Sequence, residues 1–276
     1  MLIIKDISNL NLYLSAYIKK GYTIGYVPTM GALHSGHGEL VNRSQKDNHK
    51  TIISIFVNEK QFNKNDDFKN YPRNIGKDYD FCDQLNVDII FEPSSAEIYD
   101  DNEKILVNKY FKNILCDKFR SGHFDGVITV LNKFFSLVKA HKVYFGEKDY
   151  QQLKIVQAFI KETFPNISLI SVPTVRREDG IALSSRNDNL SKKQLQEYIQ
   201  FHKNTLHFIS ELDNDMKISD ANNLAVKFID NKKLEKYDYF EFRNSINLSS
   251  DGIISGSRLF YAIFKGNIRL IDNLII

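Results

Sequence analysis

Short apolar runs alternate with segments of helical period through the first two-thirds of the chain, and that order leaves few folds open. Thr51 to Val57, Thr-Ile-Ile-Ser-Ile-Phe-Val, is apolar on both faces, as a strand buried inside a parallel sheet is. Val87 to Phe91 repeats the pattern after a helix-like stretch from about Asn74 to Leu85. Asp125 to Ala140 places Val127, Val130, Leu131, Phe134, Phe135 and Val138 at helical spacing, ahead of a strand at Lys142 to Phe145. A helix over Lys148 to Thr163 and a strand over Ser168 to Val172 continue the series. The expected fold class is α/β, a doubly wound Rossmann-like parallel sheet with its ligands at the carboxyl ends of the strands. Pro173 marks the end of that domain, giving expected boundaries of 1–173 and 174–276. The remainder is predicted as a smaller α+β lid domain: helices over Ser191 to Leu212 and Ser219 to Lys233, then strands over Tyr237 to Phe242 and Leu259 to Phe264. Asn63 to Asn70 reads as a polar loop.

Composition narrows the functional classes. The 276 residues are 42% hydrophobic and 26% charged, ordinary for a globular protein. The net charge of +3 is dispersed, without a basic stripe interleaved with stacking aromatics, so nucleic acid is not an expected partner. Met1-Leu2-Ile3-Ile4-Lys5-Asp6 carries charge too early for a secretory segment, and no apolar run reaches the length of a membrane span. Cys82 and Cys116 are far apart and make no metal-like pair. A cytoplasmic protein without a membrane partner is expected.

The densest chemistry lies in Val27-Pro28-Thr29-Met30-Gly31-Ala32-Leu33-His34-Ser35-Gly36-His37. Tyr22 to Val27 reads as a strand and Gly38 to Asn48 as the following helix, beginning near Gly36. Its free amides and positive dipole end, joined by two imidazoles, suit a triphosphate. A zinc pair is the competing reading, but helical zinc histidines stand about four apart around a general-base glutamate. Neither feature is present.

Four later blocks fit the same site. After the strand at 51–57, Asn58 and Gln61 offer uncharged donors and acceptors to the hydroxyl and carboxylate of a small acid, or simply cap the loop. Asn70-Tyr71-Pro72-Arg73 is expected to shape the same wall. In Phe119-Arg120-Ser121-Gly122-His123, the Arg120 fork suits a carboxylate or a surface ion pair. Tyr144-Phe145-Gly146-Glu147-Lys148-Asp149 repeats the strand–glycine–helix order, with Gly146 for close approach, Lys148 for phosphate, and Gln152 one turn on. Ser184-Ser185-Arg186, after Gly180, can close over phosphates or serve as a polar linker.

Taken together, these blocks resemble the pantothenate synthetase (pantoate–β-alanine ligase) family of His-x-Gly-His nucleotidyltransferases. The resemblance extends from Pro28 to Asn187 and includes the closing Gly266-Asn267-Ile268-Arg269-Leu270-Ile271-Asp272-Asn273. Departures are Glu59 and Ser121 where prolines are usual, and Gly38-Glu39 in place of a Leu-Ser type pair. Gly38 should weaken its helix start by up to about 1 kcal/mol relative to alanine.

The resemblance implies ATP-dependent condensation of pantoate with β-alanine through a pantoyl adenylate, releasing AMP and pyrophosphate. It assigns His34, His37, Lys148, Ser184, Ser185 and Arg186 to the phosphates and to catalysis, and Met30, Gly146 and Asp149 to the rest of the ATP site. It assigns Gln61 and Gln152 to pantoate, Asn58 and Gln61 to β-alanine, and Arg120 to that pocket. Mg²⁺ on the ATP phosphates and a homodimer through the larger domain are implied as well. A related nucleotidyltransferase for another acid, or a nucleotide-binding regulator without turnover, are the competing functions; Gln61 and Gln152 favour a small hydroxy acid.

Overall fold

The computed structural model describes residues 1–62, 68–69, 71–99, 104–232, 234 and 236–276. Residues 63–67 and 70 of the expected polar loop therefore lie outside the described residues. Two compact units emerge: Met1–Glu147 with Gln152–Pro173, and Lys148–Gln151 with Thr174–Ile276.

The first unit holds a six-stranded sheet of β1 (Leu2–Ile4), β2 (Ile24–Thr29), β3 (Lys50–Ile55), β4 (Ile89–Phe91), β5 (Lys142–Gly146) and β6 (Ser168–Val172). Its order is β1-β4-β3-β2-β5-β6, and every pairing is parallel. The crossovers run through α1 (Ile7–Lys19), α2 (Ser35–Asp47), α3 (Ile75–Gln84), α4 (His123–Val138) and α5 (Tyr150–Thr163). On one face Val27, Ile53, Ile90 and Val172 pack with Val41 of α2 and Cys82 of α3. On the other, Phe134 of α4 meets the rings of Tyr26, Phe56 and Phe91 at centroid distances of 6.1, 5.6 and 6.0 Å. Burial on both faces is why β2 and β3 carry apolar residues at consecutive positions.

The order reverses at β2, whose neighbours are β3 on one side and β5 on the other. The β2–β5 register covers only Gly25 with Lys142 and Tyr26 with Val143. Beyond Tyr26 the two strands part, and such a switch point is where open α/β sheets bind ligands. The divergence also explains why β2 continues through Pro28 to Thr29, past its expected end at Val27: no β5 residue is registered opposite the proline.

In the second unit β7 (Tyr237–Asn244), β8 (Ser257–Lys265) and β9 (Ile268–Ile275) form an antiparallel sheet in that order. Packed with it are α6 (Lys192–Ser210), started by a Ser191–Gln194 capping box, and α7 (Ile218–Asn231). Tyr198, Phe201, Ala221, Ala225 and Ile229 meet Phe240, Phe242 and Tyr261 in its core. β1, α1 and β9 are additions to the elements expected from the sequence.

Candidate active site

The histidine segment folds as a self-capped helix start. His34 is the N-cap of α2; its Nδ1 accepts the amide of Gly36 at 3.1 Å, while its own amide donates to His37 Nδ1 at 3.3 Å. Because each Nδ1 accepts, each neutral ring carries its proton on Nε2. The two rings lie 4.2 Å apart, centroid to centroid. The capping geometry thus fixes a pair of Nε2–H donors at the carboxyl end of β2. Gly38 is buried on the opposite side of this turn, and a Cβ there would stand 3.3 Å from the Phe81 ring. Alanine would crowd that contact, so the gain in helix stability requires the Phe81 ring to shift by a few tenths of an ångström.

Ahead of the cap, Gly31 (φ +79°) and Ala32 (φ +51°) turn the chain in the left-handed region. The turn is held from α3: the Asp78 carboxylate accepts Ala32 N–H at 3.0 Å and Leu33 N–H at 2.7 Å. A Cβ on Gly31 would approach Asp78 Oδ2 to 2.9 Å. Burial raises the Asp78 carboxyl above its usual value, and the two amides draw it back. Sequence reasoning missed this residue. The available signal is that Asp78 shares the buried face of α3 with Cys82, while Asp80 and Asp83 are exposed.

At the end of β3, Asn58 is fully engaged within the protein. Its Nδ2 donates to Gln61 Oε1 and to Gly126 O, both at 3.0 Å, and its Oδ1 accepts from Tyr99 Oη at 2.7 Å and Lys60 N at 3.2 Å. Gln61 is consequently oriented with Nε2 toward Met30 Sδ at 3.1 Å. A thioether is a weak acceptor, so a substrate oxygen would be the better partner for that N–H. Across the turn, His123 Nδ1 donates to Gln61 O at 2.8 Å, and its Nε2 accepts from the Arg120 guanidinium at 3.0 Å. A second Arg120 nitrogen reaches Gln61 O at 3.4 Å. A Cβ on Gly126 would fall 2.6 Å from Gln61 N and closer still to the Lys60 carbonyl, so the helix backbone abuts the turn. Asn58, Gln61, Arg120 and Met30 are therefore brought together, with His123 and Tyr99 as partners the sequence reading left unassigned. Pro72 and Arg73 line a cavity of about 280 Å³ with Met30, Gly31 and Val57. Asn70, expected beside them, lies outside the described residues.

At the end of β5, a Cβ on Gly146 would meet nothing within 4 Å, leaving its backbone open to close approach. Gln152 stands half-buried on the first turn of α5.

The second unit carries its own set. Lys148 and Asp149 lie in a 3₁₀ turn ahead of α5, where the expected helix begins two residues late, and their charges are 3.6 Å apart. Arg176 bridges Ala182 and Leu183 N–H donates to Val175 O at 3.0 Å, making a hairpin that delivers Ser184-Ser185-Arg186. Ser184 Oγ accepts Arg186 N–H at 3.3 Å, and Asn187 Nδ2 ties the turn to Ala182 O at 3.0 Å.

The family profile described as pantoate–β-alanine ligase matches residues 2–275. The chain belongs to that family. Among its relatives, pantothenate synthetase of Acetivibrio thermocellus is 39% identical, covering 100% of this chain and 99% of that one. The Fervidobacterium nodosum pantothenate synthetase is 38% identical over the same shares. A crystal structure of the Thermus thermophilus pantothenate synthetase superposes with a TM-score of 0.88 at 32% identity, covering 99% of each chain. The Francisella tularensis pantoate–β-alanine ligase, solved in complex with beta-gamma ATP and β-alanine, gives 0.83 at 34% identity, covering 100% and 97%. As a pantoate–β-alanine ligase family member, this chain places Glu59 at the exposed first position of the turn after Asn58, where the change from proline leaves the Asn58 network in place.

Proposed function

We propose that this protein condenses pantoate with β-alanine at the expense of ATP, through an enzyme-bound pantoyl adenylate. A pantoate carboxylate oxygen attacks the α-phosphorus, and the bond to the β-phosphate breaks to release pyrophosphate. The β-alanine amine then attacks the adenylate carbonyl, AMP leaves, and the amine proton is lost to solvent. No protein nucleophile is required, so the enzyme's contribution is alignment and charge stabilisation.

The observation that carries this reading is the pairing of two fixed donor sets on adjacent strand ends. After β2 stand the Nε2–H groups of His34 and His37; after β3 stands the Gln61 amide, oriented by Asn58 and resting on Met30 sulfur. The histidines hold the phosphates, and Gln61 with Gln152 holds the pantoate hydroxyl and carboxylate. Asn58 acts through Gln61, and Arg120, braced by His123, supplies positive charge to the acid pocket. Met30, Gly146 and Asp149 line the nucleotide. Lys148, Ser184, Ser185 and Arg186 neutralise phosphate charge from the second unit, which serves as a lid against water.

Among the described residues no group of three or more His, Cys, Asp or Glu is arranged to hold a metal. Mg²⁺ accordingly belongs to the reading as a passenger on the ATP phosphates, where it neutralises charge. Cys82 and Cys116 are both buried and form no disulfide, which suits a reducing cytoplasm, and among the described residues no helix is long and apolar enough to cross a membrane. A homodimer rests on the family resemblance and is measurable by sedimentation.

The deciding assay is pantoate-dependent exchange of labelled pyrophosphate into ATP with Mg²⁺ and without β-alanine. Exchange, followed by AMP and pantothenate once β-alanine is added, is the expected result. A folded, ATP-binding protein that exchanges with another acid, or with none, overturns the assignment of pantoate.

A further inference from the structure

The closing Asp272-Asn273 pair has no place in the chemistry above, yet both side chains are buried, at 3% and 2% exposure. They are consecutive on β9, so they leave the strand on opposite faces of the sheet. Asp272 grips Arg176 with both oxygens, at 2.7 and 3.1 Å, and also accepts from Tyr261 Oη at 3.3 Å. The same guanidinium donates to Gly180 O at 3.1 Å and Asn273 O at 3.0 Å. Arg176 is thereby the fixed rung of the hairpin that ends at Ser184-Ser185-Arg186.

Asn273 serves the other segment. Its Nδ2 donates to the Lys148 carbonyl at 3.0 Å, and its Oδ1 accepts from Arg258 at 2.7 Å. The Arg258 guanidinium lies 4.0 Å over the Tyr150 ring, and Tyr150 Oη donates to Ser245 O at 3.0 Å. The 148–150 segment is thus moored to the rest of the second unit through the Lys148 carbonyl and Tyr150, while the Lys148 ammonium pairs with Asp149 at 3.6 Å.

We propose that Asp272 and Asn273 are positioning residues: neighbouring side chains of one strand that set Lys148 and the Ser184–Arg186 loop in a fixed mutual geometry, so that the two act on the phosphates as one body. This rests on the proposed roles of Lys148 and Ser184–Arg186. Bidentate pairing of a buried carboxylate and a carboxamide bonded on both sides give little angular freedom, which is what alignment for phosphoryl chemistry demands.

Asn273→Asp addresses the Lys148 link, because it keeps an acceptor for Arg258 and replaces the donor to Lys148 O with an oxygen. Two rates are read in the full-length enzyme: pantoate-dependent pyrophosphate exchange, and aminolysis of supplied pantoyl adenylate by β-alanine. Exchange should fall on the order of tenfold to a hundredfold, while aminolysis, which involves no β- or γ-phosphate, stays within about threefold. In a Lys148→Ala background the same substitution should add less than about a twofold further loss. Asp272→Asn should show the same split but merge with Arg186→Ala instead. If Asn273→Asp does not fold, Asn273→Ser is carried through the same cycle. Equal loss of both half-reactions in folded variants, full additivity with Lys148→Ala, or unchanged exchange each overturns the proposal. Wild-type enzyme without exchange overturns the functional reading itself, and Lys148→Ala with normal exchange overturns the lysine's role; the positioning proposal falls with either.

Discussion

Replacing Gly126 by alanine tests how Gln61 is placed. The added Cβ would sit 2.6 Å from Gln61 N and nearer still to the Lys60 carbonyl, against an ordinary contact of 3.4 Å or more. Both obstacles are backbone, so no rotamer change relieves them; α4 or the turn must retreat by on the order of 1 Å. Retreat stretches the His123–Gln61 O bond of 2.8 Å and the Asn58–Gly126 O bond of 3.0 Å. Overpacking costs about 1–3 kcal/mol and each of the two weakened buried bonds about 1 kcal/mol, so a loss of about 3–5 kcal/mol is expected in urea unfolding. The functional effect should be larger for one substrate than for the other. A misplacement of about 1 Å costs on the order of a hundredfold in an aligned reaction. That loss should appear in kcat/KM for pantoate during pyrophosphate exchange, with KM for ATP changed by less than about threefold. A variant as stable as wild type with normal pantoate kinetics would falsify the packing argument.

Three further outcomes follow from the same geometry. His37→Ala should slow adenylate formation by on the order of a hundredfold to a thousandfold, as removal of a preorganised donor does; near-normal exchange by the folded variant removes the ring from the chemistry. Gln61→Ala should raise KM for pantoate more than KM for ATP, and an equal rise in both would assign Gln61 to a different ligand. Burial keeps the His202 imidazole below its usual value of 6.5. The native state then binds fewer protons than the unfolded chain as pH falls through 6.5, so stability declines from there down to the folded value. His202→Gln removes that contribution, and its unfolding midpoint should fall less than wild type's between about pH 7.5 and 5.5; equal falls would exclude the histidine as a cause.

The sheet was legible because β2, β3 and β5 are buried on both faces and bring apolar residues to consecutive positions. β9 was not legible as a strand, although its residues stood out as a motif. Asp272 and Asn273 put buried polar groups where alternation calls for apolar ones, and their partners Arg176 and Lys148 lie far away in sequence. The histidine site was readable from spacing, since a cap needs its polar atoms within one turn. Its support was not: Asp78 is an ordinary helix carboxylate until the fold sets it under the amides of Ala32 and Leu33. Asn58 shows the converse. Its residue type left a substrate contact and a loop cap both open, and in the fold its donors and acceptors go to Gln61, Gly126, Tyr99 and Lys60.

The chain enters the second unit at Lys148, leaves it after Gln151, and returns for good at Thr174. A gene cut after Pro173 would therefore not release two modules. The product of residues 1–173 would keep Lys148 but strip its carbonyl of the Asn273 donor and Tyr150 of its Ser245 acceptor. Recombination that exchanged the C-terminal segment for a relative's would have to carry residues 148–151 along with it, so inheritance of this unit is tied to four residues encoded ahead of the intervening Gln152–Pro173 segment.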